Sequence, residues 1–89
     1  MALRVETTPA FDRTAKKLHA NQKRELDEAV MAVMADPAQA GEAKKGDLAG
    51  VYVHKFKSNR QEVLLAYVFD DERIVLVSVG SHENFYRDM

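Results

Sequence analysis

The sequence contains no cysteine, and this absence excludes disulfide bonds, thiolate nucleophiles and cysteine-ligated zinc sites. Metal binding would then depend on the three histidines, which are dispersed along the chain without the spacing of a ligand set. We therefore expect no metal and no other cofactor.

A long apolar run is also missing. No segment approaches the roughly 20 apolar residues that a membrane-spanning helix needs. The first residues, MALRVETTPAF, lack the basic and apolar regions of a signal peptide. We expect a cytoplasmic protein that has no membrane partner.

Neither sign of charge dominates the sequence. Thirteen Lys and Arg residues stand against fourteen Asp and Glu residues, which gives a net charge of -1. Dedicated nucleic-acid-binding domains are usually more basic, so the total counts mildly against that class. The basic residues are nevertheless grouped. One group comprises Lys55, Lys57 and Arg60, and a second comprises Arg13, Lys16, Lys17, Lys23 and Arg24.

The length of 89 residues and the hydrophobic content of 46% are typical of a small globular protein. This length is near the lower limit at which a single core is sufficient without disulfides or metals. We expect one domain that spans residues 1–89.

Two helices are predicted in the N-terminal half. Thr8 followed by Pro9 favours a first helix with Thr8 as its N-cap, ending near His19. Asn21 is a suitable N-cap for a second helix, which Pro37 ends. The apolar positions of the first helix are Phe11, Ala15 and Leu18, and those of the second are Leu26, Ala29, Val30, Val33 and Met34. The short connection predicts an antiparallel helical hairpin.

The C-terminal half predicts three strands, over residues 51–57, 63–69 and 74–79, separated by the turn-forming segments SNRQE and DDER. A weaker alternation around Leu3 and Val5 indicates an N-terminal edge strand. Residues 37–50 predict an irregular loop, from which Leu48 contacts the core. We predict an α+β fold, in which a small antiparallel sheet packs against the helical hairpin. The sheet would consist of the N-terminal strand and a three-strand meander.

The first strand of this meander predicts two different faces. One carries Tyr52, His54 and Phe56, and the other carries Val51, Val53, Lys55 and Lys57. The aromatic face should meet the helices, so His54 is predicted to be packed and hydrogen-bonded rather than catalytic. The valines beside the lysines indicate that the C-terminal tail or a partner covers part of the other face.

The most specific features of this order of elements are three segments. They are KKGDLAGVY leading into HKFK, the central LLAYVF and the terminal LVSVGSHENFY. With them the chain resembles the RelE/ParE superfamily of bacterial type II toxins over essentially its whole length. Gly80-Ser81-His82, followed four residues later by the aromatic Tyr86, looks like the RelE-type and YafQ-type branch of mRNA interferases.

That branch implies metal-free cleavage of mRNA on the ribosome, in which the 2′-hydroxyl attacks the adjacent phosphate. The resemblance implies catalytic roles for His82, Tyr86 and Lys55. Imidazole exchanges a proton near neutral pH, as this reaction requires. The residues that would bind RNA or phosphate are Lys57, Arg60, Phe85 and Arg87. Outside this context, His82 would more often be an ordinary solvated residue.

One departure from the pattern keeps a second function open. RelE has an arginine on its central strand, whereas this sequence has the apolar VLLAY, in which Leu64 cannot replace a cation. The ParE branch keeps the fold without such a constellation and inhibits DNA gyrase, so a non-enzymatic gyrase inhibitor is the alternative.

The resemblance also implies a partner, a cognate antitoxin that would form a hetero-oligomer with the toxin. The basic group on the helices would suit an acidic amphipathic segment, and an open sheet edge could accept an added strand. We expect the antitoxin to act by masking or displacing the C-terminal segment, residues 81–89.

Overall fold

The described part of the chain is a mixed five-stranded sheet with helices packed on one face. In this computed structural model, residues 4–46, 49–58 and 60–81 are described. The elements are β1 (Arg4–Thr7), α1 (Pro9–Lys16), α2 (Ala20–Ala35), α3 (Pro37–Ala40), β2 (Glu42–Ala43), β3 (Tyr52–Ser58), β4 (Gln61–Phe69) and β5 (Arg73–Ser81).

The sheet has the strand order β1-β5-β4-β3-β2, which places β4 at its centre. Strands β2, β3, β4 and β5 pair antiparallel in sequence order. Strand β1 is an edge strand as expected, but it pairs parallel with β5. The chain between β1 and β5 supplies the long connection that a parallel pair needs. The predicted α+β fold is confirmed, and the loop predicted over residues 37–50 contains two additional short elements, α3 and β2.

The boundary between the two helices differs from the prediction. Helix α1 ends at Lys16 rather than near His19, and His19 is the N-cap of α2 instead of a C-terminal residue of α1. The N–H of His19 donates to Oε1 of Gln22 at 3.0 Å, which satisfies a backbone donor at the helix start. The prediction that Asn21 caps this helix was therefore wrong.

Thr8 joins the start of α1 to strand β5. As predicted, it is the N-cap, and its Oγ1 accepts from the N–H of Phe11 at 3.2 Å. Its own N–H donates to the carbonyl of Leu76 at 3.2 Å, and its hydroxyl donates to the carbonyl of Val77. Val77 is the extra residue of a β-bulge, because Ala66 pairs with Ser78 whereas Tyr67 pairs with Leu76. One side chain thus attaches α1 to the bulge.

The main core lies between the helices and the sheet. Its buried members are Phe11, Leu26, Ala29, Val33, Leu65, Tyr67, Ile74, Leu76 and Val79. The predicted helix stripes therefore face the sheet, except that Met34 is 41% exposed. Tyr52 and Phe56 pack against the same core, as the alternation along β3 predicted.

Two side chains attach the segment after α2 to the sheet. The hydroxyl of Tyr67 donates to the carbonyl of Pro37 at 2.6 Å. Nδ1 of His54 lies 2.6 Å from the carbonyl oxygen of Ala40, so His54 is packed and hydrogen-bonded as predicted. A Cβ at Gly41 would approach the Tyr67 hydroxyl to 2.5 Å, which only glycine avoids. Burial, together with Tyr52 and Asp36, raises the pKa of Tyr67 to about 12.

We expect Tyr67→Phe to lower the free energy of unfolding by about 1–2 kcal/mol, because the carbonyl of Pro37 loses its donor. A raised folded-state pKa contributes stability that is complete below the ordinary tyrosine pKa of about 10. This stability is lost as the pH rises from about 10 through the folded-state pKa of about 12. Urea unfolding between pH 7 and pH 11.5 should show this loss in the wild type and less of it in the variant.

Tyr52→Phe is the matched control, because the Tyr52 ring stacks on that of Tyr67 with centroids 5.8 Å apart. It should retain most of the alkaline loss of stability, because burial, the largest cause of the raised Tyr67 pKa, is unchanged. An identical pH dependence in wild type and Tyr67→Phe would contradict the role assigned to the Tyr67 hydroxyl.

Candidate functional site

The sheet face opposite the helices, here called the open face, combines basic and apolar residues. Lys55 and Lys57 project from β3 and are exposed. Beside them, Val53, Leu64 and Ala66 form a second buried cluster, against which Val51, just before β3, and Val77 of β5 pack. The sequence predicted the exposed lysines, whereas its prediction that the C-terminal tail or a partner covers this face stays a prediction, because residues 82–89 lie outside the described part of the chain. This face therefore has a buried apolar centre, and its exposed cations lie along one strand.

Strand register places Lys55 in line with the end of β5. Lys55 pairs with Leu64 on β4, and Leu64 pairs with Gly80 on β5. The adjacent row consists of Val53, Ala66 and Ser78. Since neighbouring strands lie about 4.8 Å apart, the backbones of Lys55 and Gly80 are about 10 Å apart. The sheet thus brings the lysine strand beside the segment that leads into His82.

The cations on this side of the molecule are not neutralised within the described residues. Lys57 pairs across the strands with Glu62, but the only salt bridge there joins Arg73 and Glu6 at 3.0 Å, on the β1 side of the sheet. Arg60 is exposed in the β3–β4 turn and has a φ of 65°. Ser58 and Gln61 are the last pair between β3 and β4, so the strands are joined by a two-residue loop. Tight hairpin loops of this length favour residues with a positive φ. The turn therefore presents the Arg60 side chain to solvent.

The candidate site residues divide into two groups. The structure places Lys55, Lys57 and Arg60 on β3 and the turn that follows it. The other candidates, His82, Phe85, Tyr86 and Arg87, lie outside the described residues, as does Leu48. Leu64 is fully buried, with an exposed fraction of 0%, and occupies the central-strand position that lacks a cation.

A groove that the sequence did not single out lies between α1 and the end of β5. Its volume is about 360 Å³. It is lined by Ala10, Arg13, Thr14, Lys17, Ser78, Val79 and Gly80. Ala10, Arg13 and Thr14 of α1 and its C-cap residue Lys17 follow the spacing i, i+3, i+4 and i+7, so they lie on one side of the helix. That spacing is visible in the sequence, but only the fold shows that this face meets a strand.

A second groove of about 460 Å³ lies between α1 and α2. Phe11, Leu26 and Val30 contribute apolar surface, while lysines and aspartates from both helices contribute charge. The groove therefore has a mixed charge and lies on the helix side of the sheet, away from the open face.

Two absences apply to residues 4–46, 49–58 and 60–81. No group of three His, Asp or Glu residues in these ranges could hold a metal ion. No helix in them is both long and apolar enough to cross a membrane.

Comparison with known proteins places this architecture in a family. The sequence model described as "ParE-like toxin of type II bacterial toxin-antitoxin system" matches residues 5–89. No curated protein sequence matches the chain.

Solved structures share the fold at low sequence identity. A chain of the Mycobacterium tuberculosis toxin–antitoxin complex RelBE2 is 20% identical, with a TM-score of 0.79 over 92% of this chain and 100% of that one. A free double arginine-to-alanine mutant of the Escherichia coli toxin RelE is 21% identical, with a TM-score of 0.75 over 97% and 90%. A chain of the E. coli DinJ–YafQ toxin–antitoxin complex is 16% identical, with a TM-score of 0.67 over 97% and 99%.

Exposure predicts how substitutions on the open face affect stability. Lys55→Gln and Lys57→Gln should each change the free energy of unfolding by less than about 0.5 kcal/mol, because both side chains are exposed. Leu64→Ala should cost about 2–5 kcal/mol, because it leaves a cavity in a fully buried cluster. Chemical denaturation measures all three. Strong destabilisation by either lysine substitution would show that the lysines support the fold.

Proposed function

Because this chain belongs to the family of ParE-like toxins of type II bacterial toxin–antitoxin systems, we propose that it arrests translation by cleaving mRNA on the ribosome. The fold that it shares with RelE and YafQ supports this proposal. The observation that carries it is the position of Lys55. This exposed cation lies on the open face in the same row as Gly80, two residues before His82.

The reaction needs three things from the protein. The 2′-oxygen of a nucleotide forms a bond to the adjacent phosphorus, and the bond from phosphorus to the 5′-oxygen of the next nucleotide breaks. A proton leaves the 2′-hydroxyl, and another reaches the departing 5′-oxygen, leaving a cyclic phosphate and a free 5′-hydroxyl. Negative charge develops on the phosphate oxygens during this exchange, so the site also needs fixed positive charge.

The candidate residues match these needs. Imidazole and phenol are groups that exchange protons, which assigns the acid and base roles to His82 and Tyr86. Lys55 would stabilise the charge on the phosphate, since its ammonium is exposed and forms no ion pair with a described residue. Lys57, Arg60 and Arg87 would hold the neighbouring phosphates, and Phe85 would stack on a base.

We also propose a cognate antitoxin that forms a hetero-oligomer with this chain. RelE and YafQ relatives have been solved in toxin–antitoxin complexes. An antitoxin that covers the open face would shield Lys55 and Lys57, and one that masks residues 81–89 would remove His82 and Tyr86 from the site.

The double variant His82→Ala, Lys55→Ala should lose mRNA cleavage by at least about 100-fold, because it lacks both a proton-transfer group and a phosphate cation. The measurement is primer extension on mRNA in a cell-free translation reaction. Lys45→Ala is a control at an exposed lysine that belongs to no strand of the sheet, and it should cleave like the wild type. Equal translation arrest by the wild type and the double variant, without cleavage by either, would refute the proposal.

A non-enzymatic gyrase inhibitor is the second candidate. The buried Leu64, where a central-strand cation would lie, favours it, as does the ParE-like character of the family. On this alternative, the purified protein should inhibit DNA supercoiling by gyrase, and the double variant His82→Ala, Lys55→Ala should inhibit it equally well. Clear translation arrest without any effect on supercoiling would reject this candidate.

A further inference from the structure

The end of β5 has an unpaired edge in the described part of the chain. Strand β1 pairs with β5 only as far as Leu76, and the last backbone bond along this edge comes from the N–H of Thr8. After Val77, alternate residues of β5 direct their backbone groups away from β4. Within residues 78–80, which line the groove beside α1, alternate residues therefore have backbone donors and acceptors that pair with no described strand.

The other wall of this groove supplies positive charge. Arg13 and Lys17 are exposed on the α1 face that lines it, and Thr14 lies between them. Neither cation forms an ion pair with a described residue. No Asp or Glu lines the groove. The electrostatic character of the groove is thus that of an anion-binding site.

Strand register relates the end of β5 to the open face. Ser78 is in one row with Ala66 and Val53, and Gly80 is in one row with Leu64 and Lys55. A chain of phosphates that crosses the sheet from Lys55 would reach the end of β5 after about 10 Å. Arg13 and Lys17 line the groove together with residues 78–80 at this end of the strand.

From these observations we propose a second RNA-binding subsite in the groove between α1 and residues 78–80. Arg13 and Lys17 hold the phosphates of single-stranded RNA that leaves the open face past Gly80. This inference rests on the proposed function, because it extends the path of the same RNA. In this role, Arg13 and Lys17 position the RNA instead of forming only a solvated surface.

The test uses the full-length protein and an RNA hexanucleotide whose 2′-hydroxyls are methylated, so that it cannot be cleaved. The variant Arg13→Gln, Lys17→Gln removes two phosphate contacts. The dissociation constant should rise roughly tenfold at low salt. Its salt slope should fall by about 1.4, which is two contacts at about 0.7 each for a single strand. In NMR titrations of the wild type, the amides of residues 78–80 should shift together with those of β3.

The matched control is Lys16→Gln, Arg24→Gln, which makes the same charge change at exposed residues that do not line the groove. It should bind like the wild type. An equal loss in both double variants, or no RNA binding by the wild type, would overturn the subsite. If a hexaglutamate peptide shifts the amide resonances of residues 78–80 and the RNA does not, the groove binds an acidic protein segment instead of RNA.

Cleavage assays separate this inference from the proposed function. If mRNA is cleaved but Arg13→Gln, Lys17→Gln binds the hexanucleotide like the wild type, only the subsite is refuted. If the groove residues shift with RNA but the wild type cleaves no mRNA, the subsite stands and the proposed function is refuted.

Discussion

Strand β4 is buried on both of its faces, and the rest of the described structure depends on this burial. Leu65 and Tyr67 contact the helix side, while Leu64 and Ala66 lie under the open face, all with an exposed fraction of 0%. A strand buried in this way must be central, because edge positions leave backbone groups to solvent. The neighbouring strands β3 and β5 both pair antiparallel with β4. Burial of Leu64 also explains why the middle of the open face is apolar and its cations lie on β3.

The bulge at Val77 connects the core to the groove. Thr8 bonds to the carbonyl of Val77 and so brings α1 against β5 at the point where the strand changes register. Before the bulge, β1 pairs with the edge of β5; after it, α1 and the end of β5 line the groove together. Bulges commonly occur beside functional sites because they redirect a strand. Here the redirected segment is the one that ends at Ser81, beside His82.

A net charge of -1 conceals an uneven distribution of charge. The ion pair between Arg73 and Glu6 lies on the β1 side of the sheet. At the start of the last strand, the carboxylate of Asp70 accepts bonds from the N–H groups of Glu72 and Arg73, and these bonds lower its pKa. Charges there stabilise structure, whereas Lys55, Lys57, Arg13 and Lys17 have no ion-pair partner among the described residues. A polyanion can therefore bind to a protein that is nearly neutral overall.

The sequence by itself determined the elements, because hydrophobic periodicity and capping are local properties. It predicted both helices, the three strands of the meander, the packed state of His54 and the exposure of Lys55 and Lys57. It did not determine the parallel pairing of β1, the N-cap at His19 or the exposure of Met34, since competing local signals were equally compatible with the pattern. Only the tertiary structure aligned Lys55 with Gly80 and set Arg13 and Lys17 opposite the end of β5. Strand register and helix placement join residues more than 20 positions apart, and these long-range contacts arise from packing of the whole core.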